Sequence, residues 1–338
     1  MADGVLSAPG LSTVPPGRPG AGRTRREVLR QPGRIDRLFD RFTLAAGVTV
    51  LVIMTLIGVF LFYQSRHALA KEGTSFFTRI AWQVSVYPPK IGVVGLLFGT
   101  VVVALIAVVI AIPLGVTVGL YIAEYAPVAA KKGLQAVIDL LAAIPSILFG
   151  LWGFYFLSAK IVPLSRWMTT HLGWIPIFHT TADASLTDSF FIAGIVVSLM
   201  VIPIVASITR AVFAQTPPGE KEAALALGST RWGMVKTVVF PFGRGGIIGG
   251  SMLGLGRALG ETIAVVFLLP QVPVVSRQIL QEGGATISGF IANRAGGNPF
   301  TVSGLMAAGL VLFIITLSTN LIASTIVSRS RSGVGVDA

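Results

Sequence analysis

Residues Glu222–Gly228 read EAALALG, and after residues 229–237 the chain continues as VVFP from Val238 to Pro241. This stretch is a polar, helix-forming island between two long apolar segments. Charged side chains are costly inside a bilayer, so an island of this kind belongs in water. We therefore expect a water-exposed loop, between two membrane spans, that is large enough to contact another protein.

The composition of the whole chain indicates a membrane protein. Hydrophobic residues make up 53% and charged residues only 12% of the 338 positions, whereas soluble domains carry about 25% charged residues. Several apolar runs exceed the roughly 20 residues that a helix needs to cross a bilayer, and they are continuous rather than alternating. We predict an all-α, polytopic membrane protein with six spans, at 43–63, 92–122, 134–158, 190–213, 243–269 and 304–327.

Basic residues predict the orientation and organisation of the chain. Most of the 26 lysines and arginines lie in segments that are cytoplasmic if both termini are inside, as the positive-inside rule favours. The net charge of +12 is spread over these loops, which argues against nucleic-acid binding. The predicted parts are a partly disordered cytoplasmic N-terminal tail (1–42), a first transmembrane helix (43–64), an external loop (65–91), a membrane core (92–328) and a cytoplasmic C-terminal tail (329–338).

Several kinds of site are missing from the sequence. There is no cysteine, the three histidines are scattered, and no G-x-x-x-x-G-K-[ST] phosphate loop occurs. We expect a chain that is not an enzyme, binds no metal and no cofactor, and depends on another subunit for energy. Arg25-Arg26 precedes the first apolar run as in a cleaved signal peptide, but the run from Thr43 to Tyr63 is longer than a signal requires.

Local signals predict two short helices in the polar island. Pro218 suits a first helical turn, Glu222 lies near the positive end of that helix, and Gly228 is typical of a helix C-terminus. Ser229 or Thr230 can cap a second short helix. A helix-turn-helix for DNA and a plain connecting loop are the alternatives; the first has too little room between two spans.

The island resembles the loop of bacterial ABC importer permeases whose pattern is E-A-A, three residues, Gly, nine residues, I-x-L-P. The matching residues are Glu222, Ala223, Ala224, Gly228 and Pro241. The resemblance implies a type I ABC importer (MetI-like) permease fold. It also implies that residues 214–241, here named the coupling segment, dock into a nucleotide-binding subunit.

Arg257 and Glu261 are ionisable residues inside the predicted fifth span. Four residues apart on a helix, they would share one face, and a charge at the bilayer centre costs about 3 kcal/mol. One interpretation is an internal ion pair. The other is a substrate path, in which the guanidinium fork of Arg257 binds an anion such as phosphate and Glu261 holds Arg257 in position.

The string Arg257–Thr262, RALGET, closely resembles the R-A-x-G-E-T signature of phosphate importer permeases, and residues 139–150 and 112–115 match the same family. Residues 86–100 resemble the PstC-type subunit rather than its PstA-type partner. The resemblance, over residues 40–328, implies a phosphate permease of the bacterial plasma (inner) membrane. Its partners would be a PstA-type permease, two PstB-type ATPase subunits that bind ATP and Mg, and a PstS-type external phosphate-binding protein docking on 159–189 and 270–303.

Three other functions stay open: an ABC importer of molybdate, sulfate or a polyamine, a secondary transporter or channel, and a membrane scaffold. A glycine ladder adds a structural prediction. Gly246, Gly250 and Gly254 recur every four residues, a spacing that lets transmembrane helices approach closely. We predict a tight helix interface or a pore-lining helix there, although glycine is also simply common in such helices.

Overall fold

The computed structural model describes residues 33–84, 87–181 and 183–331. Residues 1–32, most of the N-terminal tail (1–42) that the sequence predicts to be partly disordered, and the end of the C-terminal tail, 332–338, lie outside it. Within this part the chain is helical, and β pairing is limited to isolated bridges. A 3-10 turn spans Gly73–Phe77, and π-helical turns span Tyr121–Tyr125, Gly153–Leu157 and Val235–Val239. The α-helices are α1 (Arg34–Glu72), α2 (Val94–Leu120), α3 (Val128–Ala143), α4 (Ser146–Trp152), α5 (Ser158–Leu172), α6 (Phe190–Ala214), α7 (Pro218–Ala226), α8 (Arg231–Met234), α9 (Phe240–Gly260), α10 (Ile263–Leu268), α11 (Ile287–Asn293) and α12 (Pro299–Arg331).

Six helical stretches of the described chain are long and apolar enough to cross a membrane, which confirms the predicted number of spans. Their exposed apolar side chains are the pattern expected of helices surrounded by lipid. The six stretches are Ile35–Phe77, Val94–Tyr125, Ser146–Leu172, Phe190–Ala214, Arg231–Gly260 and Pro299–Val327.

The chain divides into two units within α1, between Met54 and Thr55. The described part of the first unit, residues 33–54, is helical, and its apolar side chains such as Leu44 and Val50 are exposed. The second unit contains all the other helices. Its apolar core lies mainly between α2, α6 and the helices that pack on them.

The third span differs from the sequence-based prediction. It was expected at 134–158, but the structure places it at Ser146–Leu172. Ile144 is extended (φ −65°, ψ 129°), because the residue before a proline, here Pro145, is driven out of the helical region. The apolar residues before that break form the separate helix α3, so the external segment expected at 159–189 begins only after Leu172.

The fifth span also differs from its predicted range of 243–269. It begins at Arg231 and ends at Gly260, so the second short helix predicted in the coupling segment is the start of this span. Pro241 lacks an N–H, but it is the second residue of α9, in the first turn after the π-helical turn Val235–Val239, where a missing N–H is tolerated. The helix therefore continues past the proline. The residues expected at the end of the span form the separate helix α10.

The predicted glycine ladder of α9 faces α6. A methyl group at Gly254 would lie 2.7 Å from Cγ1 of Val201, and one at Gly250 would lie 3.2 Å from Cγ2 of Ile208. A methyl group at Gly246 would collide with Val212. The absence of side chains on this face of α9 thus lets its backbone approach α6 closely.

The second span approaches α6 in the same way from another side. A methyl group at Gly115 of α2 would lie 2.7 Å from Cβ of Val205, and one at Gly119 would collide with Thr209. Helix α6 is therefore held between two helices whose backbones it touches, α2 and α9.

Candidate coupling and substrate-path sites

The coupling segment begins as its sequence predicts. Helix α7 starts at Pro218, and Pro217 precedes it in an extended conformation. Of the two residues that could cap the next helix, the structure uses Thr230, whose Oγ1 accepts a hydrogen bond from the N–H of Gly233 at 3.0 Å. The ends of both helices are thus set by side chains within one turn of them.

Gly228 provides the bend between α7 and α8. Its φ is +84°, in the left-handed region that residues with a Cβ rarely adopt. The N–H of Gly228 donates to the carbonyl of Leu225 at 3.0 Å, and the N–H of Ser229 donates to the carbonyl of Ala224 at 3.2 Å. A methyl group here would have nothing within 4 Å, so the requirement for glycine comes from the backbone conformation and not from crowding.

The outer face of α7 combines an acidic group with apolar side chains. Glu222 and Ala223 are exposed, Leu227 is 90% exposed and Trp232 of α8 is 57% exposed. On the inner face, Ala224 packs against a buried apolar cluster at the base of the segment. Large apolar side chains that protrude from a segment expected in water are typical of a protein-binding surface.

The structure also reveals a contact of α7 that the sequence did not predict. The Nζ of Lys221 lies 2.5 Å from Oε1 of Glu124, in the π-helical turn that ends the second span. The two residues are 97 positions apart, and no spacing rule connects them. Only the packing of α7 beside the end of α2 brings them together.

The predicted pairing of Arg257 with Glu261 is wrong. Helix α9 ends at Gly260, and Glu261 is extended (φ −64°, ψ 126°), so the rule for residues four apart on a helix does not apply. The described ion pairs do not include one between these side chains. Instead, Oε1 of buried Glu261 accepts a hydrogen bond from the N–H of Ala264 at 3.3 Å, at the start of α10.

Arg257 and Glu261 nevertheless line the same cavity, of about 560 Å³, between α6, α9 and α12. Arg257 is exposed, so its guanidinium fork is available to an anion. The sequence reading missed two polar residues of α12 that also line the cavity, because nothing in α12 marks them as unusual. The lining residues are Ile204, Leu253, Gly256, Arg257, Gly260, Glu261, Thr316 and Asn320.

The two polar residues of α12 differ in what they can offer to a ligand. The hydroxyl of Thr316 donates to the carbonyls of Leu312 and Phe313, at 2.9 and 3.0 Å, within its own helix. The amide of Asn320 has no hydrogen-bond partner among the described residues, and it can both donate and accept. Asn320 is therefore the second polar group of the cavity, after Arg257, that is free to contact a small anion.

Segments 173–189 and 270–303, at the opposite end of α6, form one surface. The N–H of Glu282 donates to the carbonyl of Ser185 at 2.8 Å, and that of Ile279 donates to Ile177 at 3.1 Å. Burial raises the pKa of Asp188 above its ordinary value, and the neighbouring charge of Glu282 raises it further. The two segments expected as separate docking surfaces are thus joined.

Within the part of the chain that the structure describes, no three His, Cys, Asp or Glu side chains cluster closely enough to hold a metal ion. The absence of a bound cofactor remains a prediction from the sequence. The polar groups of the two sites point instead to protein contact at the coupling segment and to anion contact in the cavity.

Comparisons with known proteins place the chain in one family of transport proteins. Residues 115–332 match the family model described as "Binding-protein-dependent transport system inner membrane component". The chain is 38% identical over 310 residues to "Phosphate transport system permease protein PstC 2" of Mycobacterium tuberculosis, with 90% of this chain and 95% of the relative covered. It is 33% identical over 339 residues to "Phosphate transport system permease protein PstC" of Mesorhizobium japonicum, with 96% and 100% covered.

A similar fold is found among solved structures. A bacterial ABC transporter involved in the import of the acidic polysaccharide alginate superimposes with a TM-score of 0.53. The match covers 88% of this chain and 99% of the solved chain, at 18% sequence identity. At that identity the likeness concerns the fold alone, and it agrees with the predicted permease architecture.

Proposed function

The chain belongs to the family of binding-protein-dependent transport system inner membrane components, and we propose that it is the PstC-type permease subunit of an ATP-driven phosphate importer. The observation that carries the proposal is the similarity to phosphate permeases along nearly the whole chain. It includes both the coupling segment and the cavity that contains Arg257. The chain itself lacks a phosphate-binding loop for ATP, so hydrolysis belongs to a separate subunit.

In the proposed assembly, the chain pairs with a PstA-type permease and two PstB-type ATPase subunits, which bind ATP and Mg. A PstS-type protein delivers phosphate to the surface formed by 173–189 and 270–303. Both termini and the coupling segment lie in the cytoplasm, in agreement with the distribution of basic residues. The membrane is the plasma (inner) membrane.

The outer face of α7 is the proposed contact with the ATPase. Glu222 offers a charge, while Leu227 and Trp232 offer apolar surface that water otherwise covers. Burial of this surface against a partner is favourable by about 25 cal/mol per Å². When ATP binding moves the ATPase, the coupling segment moves with it and reorients the spans around the cavity, which is alternating access.

Phosphate would pass through the cavity of Arg257. The fork of Arg257 matches two phosphate oxygens at once, and the amide of Asn320 offers a neutral donor on the facing helix. Because Glu261 is buried and caps α10 through Ala264, it shapes the wall of the cavity rather than holding Arg257. This role for Glu261 replaces the one predicted from the sequence.

The same cavity chemistry would suit another oxyanion, so sulfate and molybdate are the competing solutes. The positive charge of Arg257 would repel a polyamine, which argues against a polyamine as the substrate. The coupling segment argues against a secondary transporter, which needs no ATPase. The test is uptake of radiolabelled phosphate by the whole complex in proteoliposomes, with ATP inside or absent and with unlabelled sulfate or molybdate as competitors. We expect ATP-dependent phosphate uptake that neither competitor inhibits. Uptake without ATP, or uptake of sulfate in preference to phosphate, would contradict the proposal.

A further inference from the structure

The second span does not end as a regular helix. Its last five residues, Tyr121–Tyr125, form a π-helical turn, a rare wider turn that occurs frequently at functional sites. The chain then leaves the helix at Ala126, which is extended (φ −63°, ψ 138°). Three cationic side chains from three separate helices contact this turn: Lys131 of α3, Lys221 of α7 and Arg231 of α8.

Lys131 and Arg231 make two of these three contacts with the turn. The Nζ of Lys131 donates to the carbonyl of Ala123 at 2.6 Å, where the end of a helix leaves carbonyls without partners. The guanidinium of Arg231 lies 5.9 Å from the centre of the Tyr125 ring, at the outer limit of a cation–π contact. Both contacts place a positive charge at the C-terminal end of the second span, where the helix dipole is negative and attracts cations.

The third contact joins the coupling segment to the second span. The side chains of Lys221 and Glu124 are only 19% and 10% exposed, so water screens their attraction less than it screens a surface pair. Loss of one partner would leave the other charge poorly solvated and uncompensated. The pair therefore resists any separation of α7 from the end of α2.

An apolar base beneath the pair supports the same contact. Buried Phe213, Val235 and Val239 form a cluster, and Ala224 of α7 and Tyr125 of the turn pack against it. The inner side of α7 is thus attached to the π-helical turn that ends the second span, by one ion pair and by shared apolar neighbours. Its outer side remains free for a partner.

We propose that the Glu124–Lys221 pair is the positioning contact that carries movement of the coupling segment to the second span. The inference rests on the proposed function. Gly115 and Gly119 of α2 pack directly against Val205 and Thr209 of α6, with no room for a methyl group between the helices, so a displacement of α2 is passed to α6 instead of being absorbed. Helix α6 contributes Ile204 to the cavity of Arg257. The route thus leads from the ATPase contact to the proposed substrate path.

The test measures phosphate imported per ATP hydrolysed by the reconstituted complex. Glu124→Gln should lower this ratio by about fivefold or more, in the range of typical coupling energies, while the amount of co-purified ATPase stays unchanged. Glu124 lies in the π-helical turn at the end of the second span, away from the outer face of α7, so the variant leaves the docking surface intact. The exchange Glu124→Lys with Lys221→Glu should restore most of the ratio, because opposite charges again face each other.

The chain offers a matched control in its other described ion pair, Arg79–Glu72, in which Glu72 is also buried. Glu72→Gln should leave the ratio unchanged. If Glu124→Gln lowers only the amount of complex and not the ratio, the pair is a structural brace and the inference is wrong. A lowered ratio that the exchange does not restore would also overturn it. A wild-type complex that hydrolyses ATP without importing phosphate contradicts the proposed function instead.

Discussion

The coupling segment and the Arg257–Glu261 string are both short motifs, yet their geometry has different origins. In the coupling segment, Pro218, Gly228 and Thr230 act on the backbone within one turn of themselves. In the string, the helix that would have brought Arg257 and Glu261 onto one face ends at Gly260. The two residues line one cavity, but the described ion pairs do not include one between them.

The difference shows when spacing in a sequence can be trusted. Caps and positive φ values depend on a few adjacent residues, so a local pattern predicts them. The i,i+4 rule depends on an uninterrupted helix. Around Glu261 that helix gives way to a new one, α10, whose first turn uses the carboxylate as an acceptor, and the hydroxyl of Ser288 donates to the backbone carbonyl of Glu261 at 2.6 Å.

The largest expected effect tests whether the side chain of Arg257 contacts phosphate in the cavity without help from Glu261. Arg257→Gln should lower phosphate uptake by about 10- to 100-fold, because a hydrogen bond to a charged group is worth about 1.5–3 kcal/mol. Arg257→Lys should lower uptake less, since lysine keeps the charge but loses the planar fork. The measurement is initial uptake rate per assembled complex in proteoliposomes.

A double variant separates the cavity from the ion pair that the sequence had suggested. With no ion pair between them, Glu261→Gln should not restore the uptake that Arg257→Gln removes. Glutamine retains an acceptor for the N–H of Ala264, so α10 should keep its cap. Recovery of uptake in the double variant would restore the ion-pair interpretation and exclude Arg257 from the substrate path.

The next effect tests the local rule at Gly228. Valine there must adopt a positive φ, at a cost of about 1–2 kcal/mol, so Gly228→Val should lower ATP-coupled uptake about 5- to 30-fold while insertion into the membrane is normal. Gly219→Val is the matched control, because Gly219 lies in α7 with a negative φ and with nothing within 4 Å of an added methyl group. Equal losses in both variants would count against the bend.

A smaller effect tests tertiary context within one helix. Gly246 and Gly249 are three residues apart in α9, but a methyl group at Gly246 would collide with Val212, whereas one at Gly249 would meet only Val327 at 3.7 Å. Gly246→Ala should destabilise the protein by about 1–3 kcal/mol through overpacking. Gly249→Ala should be neutral or stabilising, because alanine favours a helix by about 1 kcal/mol. Thermal unfolding in detergent measures both, and the same shift in both variants would contradict the packing account.

The smallest effect is expected at the N-terminus, where the sequence predicts no folded structure. Residues 1–20 are rich in glycine and proline and poor in apolar residues, so they cannot bury enough surface to fold alone. Their deletion should leave uptake and membrane abundance unchanged. A large loss of uptake at normal abundance would reveal a role for the tail.

The sequence by itself determined the class of the protein, the number of spans and the local geometry of the coupling segment. Long apolar runs have few solutions in lipid, and caps and bends are set by adjacent residues, as at Gly228 and Thr230. The break before Pro145 and the cap of Glu261 on α10 are local as well, but they interrupt helices that hydrophobic periodicity alone would continue. The tertiary structure alone decided that Lys221 meets Glu124. It also decided which glycines of α9 touch α6. These features depend on contacts between residues far apart in the chain, and neither periodicity nor spacing in one segment contains that information.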